Sequence, residues 1–392
     1  MAALETLGSG LRATDFVSYA ATFAKRLIRS LPTLASFCKD GEAELITEGD
    51  VYPRPRYLIP ASHLETFDLM QRAQGEINGI LKYMFDYTAP LGYEDGYLRA
   101  HERNFARAQE LSAEMVGKSE GVRVYAYPHL FAKADIHPRD SERLSISPEL
   151  VGAFIAENGI PTVYDGDGIC ACVFGANALN VPLSAISNGA LIDSISAKEL
   201  KRRGLDVGIN ELLDEVTVNV GAESFADTVA VANSQTRIMT AKLNSRVIPI
   251  SHATVNGITY VTSYRYENES GQKFFVLCFP AASSYGGIRV NYARQQSLKD
   301  AIEWISGKRL PVFCGKSPYL YTVLKRDNGK LRAAFFNCYE DKVLDPVIEL
   351  DQAYESVRFI HGSGKLSGNK LLLEHDLAPY EYTAFELGCS HP

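Results

Sequence analysis

Apolar residues recur at three- and four-residue spacing over 12–36 (Phe16, Tyr19, Ala20, Phe23, Ala24, Leu27), which predicts a helix. A strand is predicted at Ala43–Thr47 and a helix over Ser62–Ala73. The run GILKYMFDY (Gly79–Tyr87) predicts a second strand, ending in Asp86 and passing into the polar loop Thr88–Asp95. An amphipathic helix over Tyr97–Glu114 closes the block. The pattern is two βα units, each with acids and tyrosines at the C-terminal end of its strand.

From Gly121 the apolar runs become short and continuous: GVRVYAYP, GIPTVYD, ICACVFG and GALID, with helical segments at Pro148–Asn158 and Ser196–Arg203. Short buried strands alternating with helices predict a doubly wound parallel sheet. Gly204 supplies a helix C-terminal signal. After about residue 245 the period changes to two. GITYVTSYRYEN, QKFFVLCFP, YLYTVLKR, RAAFFNCYE, SVRFIHGSG and NKLLLEHDLAPYEYTAFEL predict antiparallel strands and a small β-sandwich, with one helix at Gln296–Ile305. The expected fold class is α/β, in three parts: 1–115, 116–245 and 246–392.

Composition narrows the functional classes. A chain of 392 residues with 46% hydrophobic and 22% charged residues reads as globular. A net charge of −7 and no basic run longer than Lys201–Arg203 argue against nucleic acid as a partner. No apolar stretch reaches membrane-spanning length. The seven cysteines are scattered, without zinc-ligand spacing, and read as reduced thiols. MAALETLGSG carries no basic start followed by an apolar run, so a cytoplasmic location is expected. Neither a dinucleotide-binding glycine motif nor a phosphate-binding loop is present in the sequence, and no cofactor is expected. Gly168-Ile169-Cys170-Ala171-Cys172 approaches a nucleophile elbow, but Cys172 stands where that turn needs glycine.

The candidate chemistry concentrates in AELITEGDVYPRPRY (Ala43–Tyr57). Glu44 and Glu48 are four apart and share one face of a strand, with Glu48 nearer its end. Arg54, Arg56 and Tyr57 follow on a proline-fixed loop. Carboxylates at the C-terminal mouth of a strand, backed by arginine forks, suit an α/β-barrel hydrolase acting on a polar substrate. The same residues would also make a solvated ion-pair network. Asp86, Tyr87, Tyr93 and Glu94 after the second strand repeat the combination, since sugars need acceptors for hydroxyls and aromatic faces for stacking. There the bland alternative is a loop whose acids favour the next helix N-terminus.

The order of these parts resembles the C-terminal portion of a bacterial TIM-barrel glycoside hydrolase of the β-galactosidase-like sort. Ser187–Ile209 (SNGALIDSISAKELKRRGLDVGI) is similar to a run of the middle, amidotransferase-like (flavodoxin-like) domain of such enzymes, and Asn369–Leu387 to the closing strands of their sandwich. The resemblance makes ITEGDVYPRPRY and GILKYMFDY the seventh and eighth barrel strands and gives Glu48 the nucleophile's position in a retaining mechanism. It implies a carbohydrate ligand and a homo-oligomer, and the residues read above after the two strands, Arg54, Arg56, Tyr57, Asp86, Tyr87, Tyr93 and Glu94, are then the expected substrate contacts. It also puts the proton donor on barrel strand four, ahead of the matched part. The expected function is therefore a glycoside hydrolase or the carbohydrate-binding part of one, against a non-catalytic oligomerisation module.

Overall fold

The computed structural model describes residues 46–49, 56, 59–75, 79–82, 84–85, 89–127, 148–166, 168–282 and 286–388. The helix expected over 12–36 lies outside them, as do Arg54, Tyr57, Asp86 and Tyr87. The chain divides into two units, Met1–Glu120 with Tyr319–Ile348 and Gln352–Pro392, and Gly121–Pro318 with Glu349–Asp351.

In the first unit, β1 (Ile46–Gly49) and β2 (Gly79–Lys82) pair in parallel, with Glu48 opposite Leu81. Helix α1 (Ala61–Gln74) joins them and ends on Gly75, whose φ of 69° is the left-handed conformation that glycine supplies cheaply. Helix α2 (Gly96–Glu114) follows β2. These are the βα repeats predicted, each boundary within two residues for the helices. Ile46 is 57% exposed and Leu81 60%, so apolar side chains of the pair face solvent.

Helix α1 is buried on most sides because it packs against α2 and, across its other face, against a second sheet of the same unit. His63 is 6% exposed, and its ring centre lies 4.2 Å from that of Tyr380. Burial lowers its pKa from 6.5 to about 4. The unfolded chain thus binds this proton near pH 6.5 and the folded chain only near pH 4. Stability is complete above pH 6.5 and falls as the pH drops towards 4, at about 1.4 kcal/mol for each pKa unit separating the two states. Urea unfolding at pH 7 and pH 4.5 should show a smaller loss in His63→Leu than in the parent; equal losses would remove His63 from the account.

The second unit holds a nine-stranded sheet. Strands β3 (Val122–Val124), β4 (Thr162–Val163), β5 (Ala171–Val173) and β6 (Gly189–Ile192) are parallel, with helix α3 (Pro148–Glu157) between β3 and β4. Helix α4 (Ser194–Arg202) leaves β6. Strands β7 (Val216–Phe225), β8 (Val229–Ile238), β9 (Ile248–Val255) and β10 (Ile258–Glu267) are antiparallel, and β11 (Lys273–Leu277) then returns parallel to β6. The sheet order is β8-β7-β9-β10-β11-β6-β5-β3-β4. The five parallel strands therefore run 2-1-3-4-5 in chain order, an order known from doubly wound sheets. QKFFVLCFP, grouped by its pattern with the antiparallel series, is the fifth parallel strand. Helix α5 (Tyr292–Ser306) follows, capped by the Asn291 side chain on the Arg294 amide and stopped by Gly307. Phe154, Val173, Ile192, Val276 and Ile302 belong to one buried core.

The chain then re-enters the first unit. Strands β12 (Leu320–Asp327), β13 (Lys330–Asn337), β14 (Ser356–His361) and β15 (Tyr382–Gly388) form an antiparallel sheet in the order β14-β15-β13-β12, extended by Lys118–Ser119. Buried aromatic pairs lie on both of its faces: Phe335 stacks on Phe385 and Phe336 on Tyr382. No described helix is long and apolar enough to cross a membrane.

Candidate functional site

Because β1 and β2 are parallel, the loops that follow them leave from the same end, the geometry by which a barrel gathers side chains from separate strands. Arg56 from the first loop and Glu94 from the second meet there. Arg56 Nε donates to Glu94 Oε1 at 2.7 Å, and its Nη2 lies 2.7 Å from the same oxygen. The Gly96 amide donates to Oε1 as well, at 3.1 Å, so Glu94 also satisfies a free N–H at the start of α2. Glu94 Oε2 is buried without a hydrogen-bond partner. Tyr97, on the first turn of α2, donates its hydroxyl to the Ile59 carbonyl at 2.8 Å and ties the two loops together.

The close approach of Arg56 depends on glycine at position 96, since a Cβ there would sit 2.3 Å from Arg56 Nε and the flexible guanidinium would have to move. Gly96→Ala is expected to push the guanidinium off Glu94. The coupling between Arg56 and Glu94 in a double-mutant cycle should be about 0.5–1 kcal/mol, as for partly exposed pairs, and should vanish once Gly96→Ala is added. Undiminished coupling would show that the pair does not depend on this approach.

Of the residues singled out from sequence, Arg56 and Glu94 are thus brought together across 38 positions. Glu48 lies one residue before the end of β1, in register with Leu81 of β2. Tyr93 is 82% exposed in the second loop. Arg54, Tyr57, Asp86 and Tyr87 are outside the described residues.

A second cluster, not apparent in the sequence, lies against α1 and α2. Lys82 sits at the end of β2, and its Nζ is 2.6 Å from Glu65 Oε1, 2.9 Å from Asp68 Oδ2 and 3.0 Å from His101 Nδ1. Arg72 Nε donates to the other oxygen of Asp68 at 2.6 Å. Burial, then the Lys82 charge, lowers the His101 pKa, so a neutral imidazole accepts from the ammonium. Glu65, Asp68 and His101 have a donor set that a metal ion could use, but the Lys82 ammonium already provides the cation among them. The arrangement is a buried ion-pair network bracing β2 on its helices. Glu65 and Asp68 lie three apart on a predicted helix and offered a periodic clue; Lys82, hidden in an apolar strand, offered none.

Among the described residues, Cys170, Cys172, Cys278, Cys314 and Cys338 are buried. Burial raises Cys170, Cys278 and Cys338 to about 12 and Cys172 well above its ordinary value.

No family model matches the chain, and no curated protein is similar to it in sequence. Solved structures do match. A cold-adapted β-galactosidase from Rahnella superposes with a TM-score of 0.55 at 9% identity, over 94% of this chain and 57% of its own. A catalytic mutant of Gan42B, a GH42 β-galactosidase from G. stearothermophilus, gives 0.52 at 10% identity, over 84% and 51%. A β-galactosidase from Bacillus circulans sp. alkalophilus gives 0.52 at 8% identity, over 84% and 52%. The chain is glycoside-hydrolase-like in fold and spans about half the length of these structures.

Proposed function

We propose that this chain is the C-terminal half of a retaining, β-galactosidase-like glycoside hydrolase: the end of a (β/α) barrel, a flavodoxin-like domain and a β-sandwich. The observation that carries the reading is the meeting of Arg56 and Glu94 at the C-terminal end of a parallel βα pair, in a chain whose fold neighbours are β-galactosidases. Glu48 serves as the nucleophile at the mouth of β1. Arg54 and Arg56 are assigned to orienting carboxylates, and Tyr57, Tyr87 and Tyr93 to binding the sugar. A retaining site needs a second carboxyl about 5–5.5 Å from the first. Asp86 and Glu94 are the local acids for that place, and Glu94 keeps one carboxylate oxygen, Oε2, without a hydrogen-bond partner.

The ligand is a carbohydrate, and turnover of aryl β-galactosides tests the reading. The chain should release phenol with burst kinetics, and Glu48→Gln should abolish release while leaving thermal unfolding unchanged. Full activity in Glu48→Gln would remove Glu48 from the mechanism. No turnover of any aryl glycoside by the parent would overturn hydrolysis for the chain by itself and leave a sugar-binding or oligomerisation module.

A further inference from the structure

The second unit contains a cavity of about 390 Å³ between α5 and the antiparallel strands, within the size range of small-molecule sites. Its apolar floor is Phe225, Ile250 and Phe275, with Trp304 at one side. Polar groups of both kinds converge on this floor: Asp227 from the turn after β7, Arg265 from β10, and Gln296, Ser297 and Asp300 from successive turns of α5. Gln296 Nε2 donates to Asp300 Oδ1 at 2.8 Å, which orients the pair along the rim.

Ser297 is the telling residue. It is 8% exposed, it lines the cavity, and its Oγ is buried without a hydrogen-bond partner. Buried hydroxyls are paired as a rule, because an unpaired one forfeits its hydrogen bonds to water and regains nothing. A ligand hydroxyl in the cavity would repair that loss.

A second cavity of about 330 Å³ adjoins the first and shares Arg265 and Trp304 with it. Arg246, Ile248, Tyr266, Glu267 and Asn268 complete its lining. The Arg265 guanidinium lies over the Trp304 ring, 5.8 Å from its centre, and marks the boundary between the two. The charged groups of the two linings are mixed in sign: Asp227, Asp300 and Glu267 against Arg246 and Arg265. Such a lining selects neither an anion nor a cation. It offers donors, acceptors and aromatic surface at once, which is what a ring carrying hydroxyls on an apolar skeleton requires.

We propose that these two cavities form a binding groove for a neutral oligosaccharide, one sugar unit on each side of the Arg265–Trp304 pair. The groove lies wholly within the second unit and does not depend on the hydrolytic reading of the first. Trp304 is the sole tryptophan of the chain, so intrinsic fluorescence reports on this groove.

The test titrates the full chain with the S-linked analogues of lactose and cellobiose, which a hydrolase does not cleave, with methyl β-galactoside and with inorganic phosphate. Trp304 emission should change saturably with an S-linked disaccharide, at least fivefold more tightly than with the monosaccharide, and not with phosphate. Ser297→Ala should weaken disaccharide binding about fivefold while the unfolding midpoint stays or rises, since the change deletes an unpaired buried hydroxyl. Asp300→Ala, at an exposed helix position, should weaken binding about tenfold with unchanged unfolding. Calorimetry on Trp304→Phe separates loss of the reporter from loss of binding and should show weakened binding. The proposal is overturned if neither emission nor heat responds to either disaccharide, if phosphate alone responds, or if Ser297→Ala and Asp300→Ala bind as the parent does. Each of these results is independent of aryl galactoside turnover.

Discussion

Arg294→Ala is expected to destabilise the second unit by about 3–5 kcal/mol, the usual loss when one partner of a buried ion pair is removed. Arg294 on α5 and Glu223 on β7 are both 0% exposed. The guanidinium donates to Glu223 Oε1, to the Ile288 carbonyl and to Ser263 Oγ, and Thr262 donates to the same carboxylate oxygen. It is also sandwiched against Phe225 and Phe279, 5.3 Å from each ring centre. Deleting it would strand a carboxylate in an apolar core and open a cavity between the two rings. Most of the loss should return in Arg294→Met with Glu223→Leu, because the isolated charge rather than the absent pair is the main cost. Denaturant unfolding followed by Trp304 fluorescence reads this unit directly. A single variant as stable as the parent, or a double variant no better than the single, would contradict the account.

Asp193→Ala should cost about 3 kcal/mol or more in the same assay. Asp193 is fully buried at the end of β6 and caps α4. Its Oδ1 accepts from the amides of Gly175 and Ser196, each at 2.9 Å, and its Oδ2 from the amide of Ala281 at 3.1 Å. The single side chain therefore fixes the loop after β5, the first turn of α4 and the segment after β11. Alanine would leave three buried N–H groups unpaired, at about 1–3 kcal/mol each before relaxation. Burial raises the Asp193 pKa despite these donors. Asn would keep the Oδ1 bonds and oppose an NH₂ to the Ala281 amide, so Asp193→Asn should fall between parent and Ala. If Asn and Ala were equally harmful, the hydrogen-bond count would not be the cause.

Asp193 also shows where local pattern stops. It belongs to the GALID run that predicted β6, and an acid before Ser-Ile-Ser-Ala is a recognisable cap signal. The helix was expected from Ser196 and begins at Ser194, because the cap recruits the preceding turn. That Oδ2 reaches an amide 88 residues away has no local trace. The same limit applies to the candidate site. The acids and arginines of the two loops stand out by their position after apolar runs, yet the pairing of Arg56 with Glu94 and its dependence on Gly96 arise only once β1 and β2 lie side by side.

What the sequence by itself determined was the existence and type of the elements: βα units at the start, short buried strands with helices from Gly121, and period-two strands later. Hydrophobic periodicity is a local property, and burial of one face or both is written residue by residue. The tertiary structure alone decided which strands are neighbours. Strand β11 reads as one more member of an antiparallel series, but it lies parallel to β6, beyond an insertion that adds four antiparallel strands to the same sheet, and joins both kinds of pairing. It decided as well that Lys82 would face two acids and a histidine, and that Ser297 would line a cavity with its hydroxyl unpaired. Pairing and enclosure depend on partners distant in the chain, and an apolar strand supplies no signal for which partner it will meet.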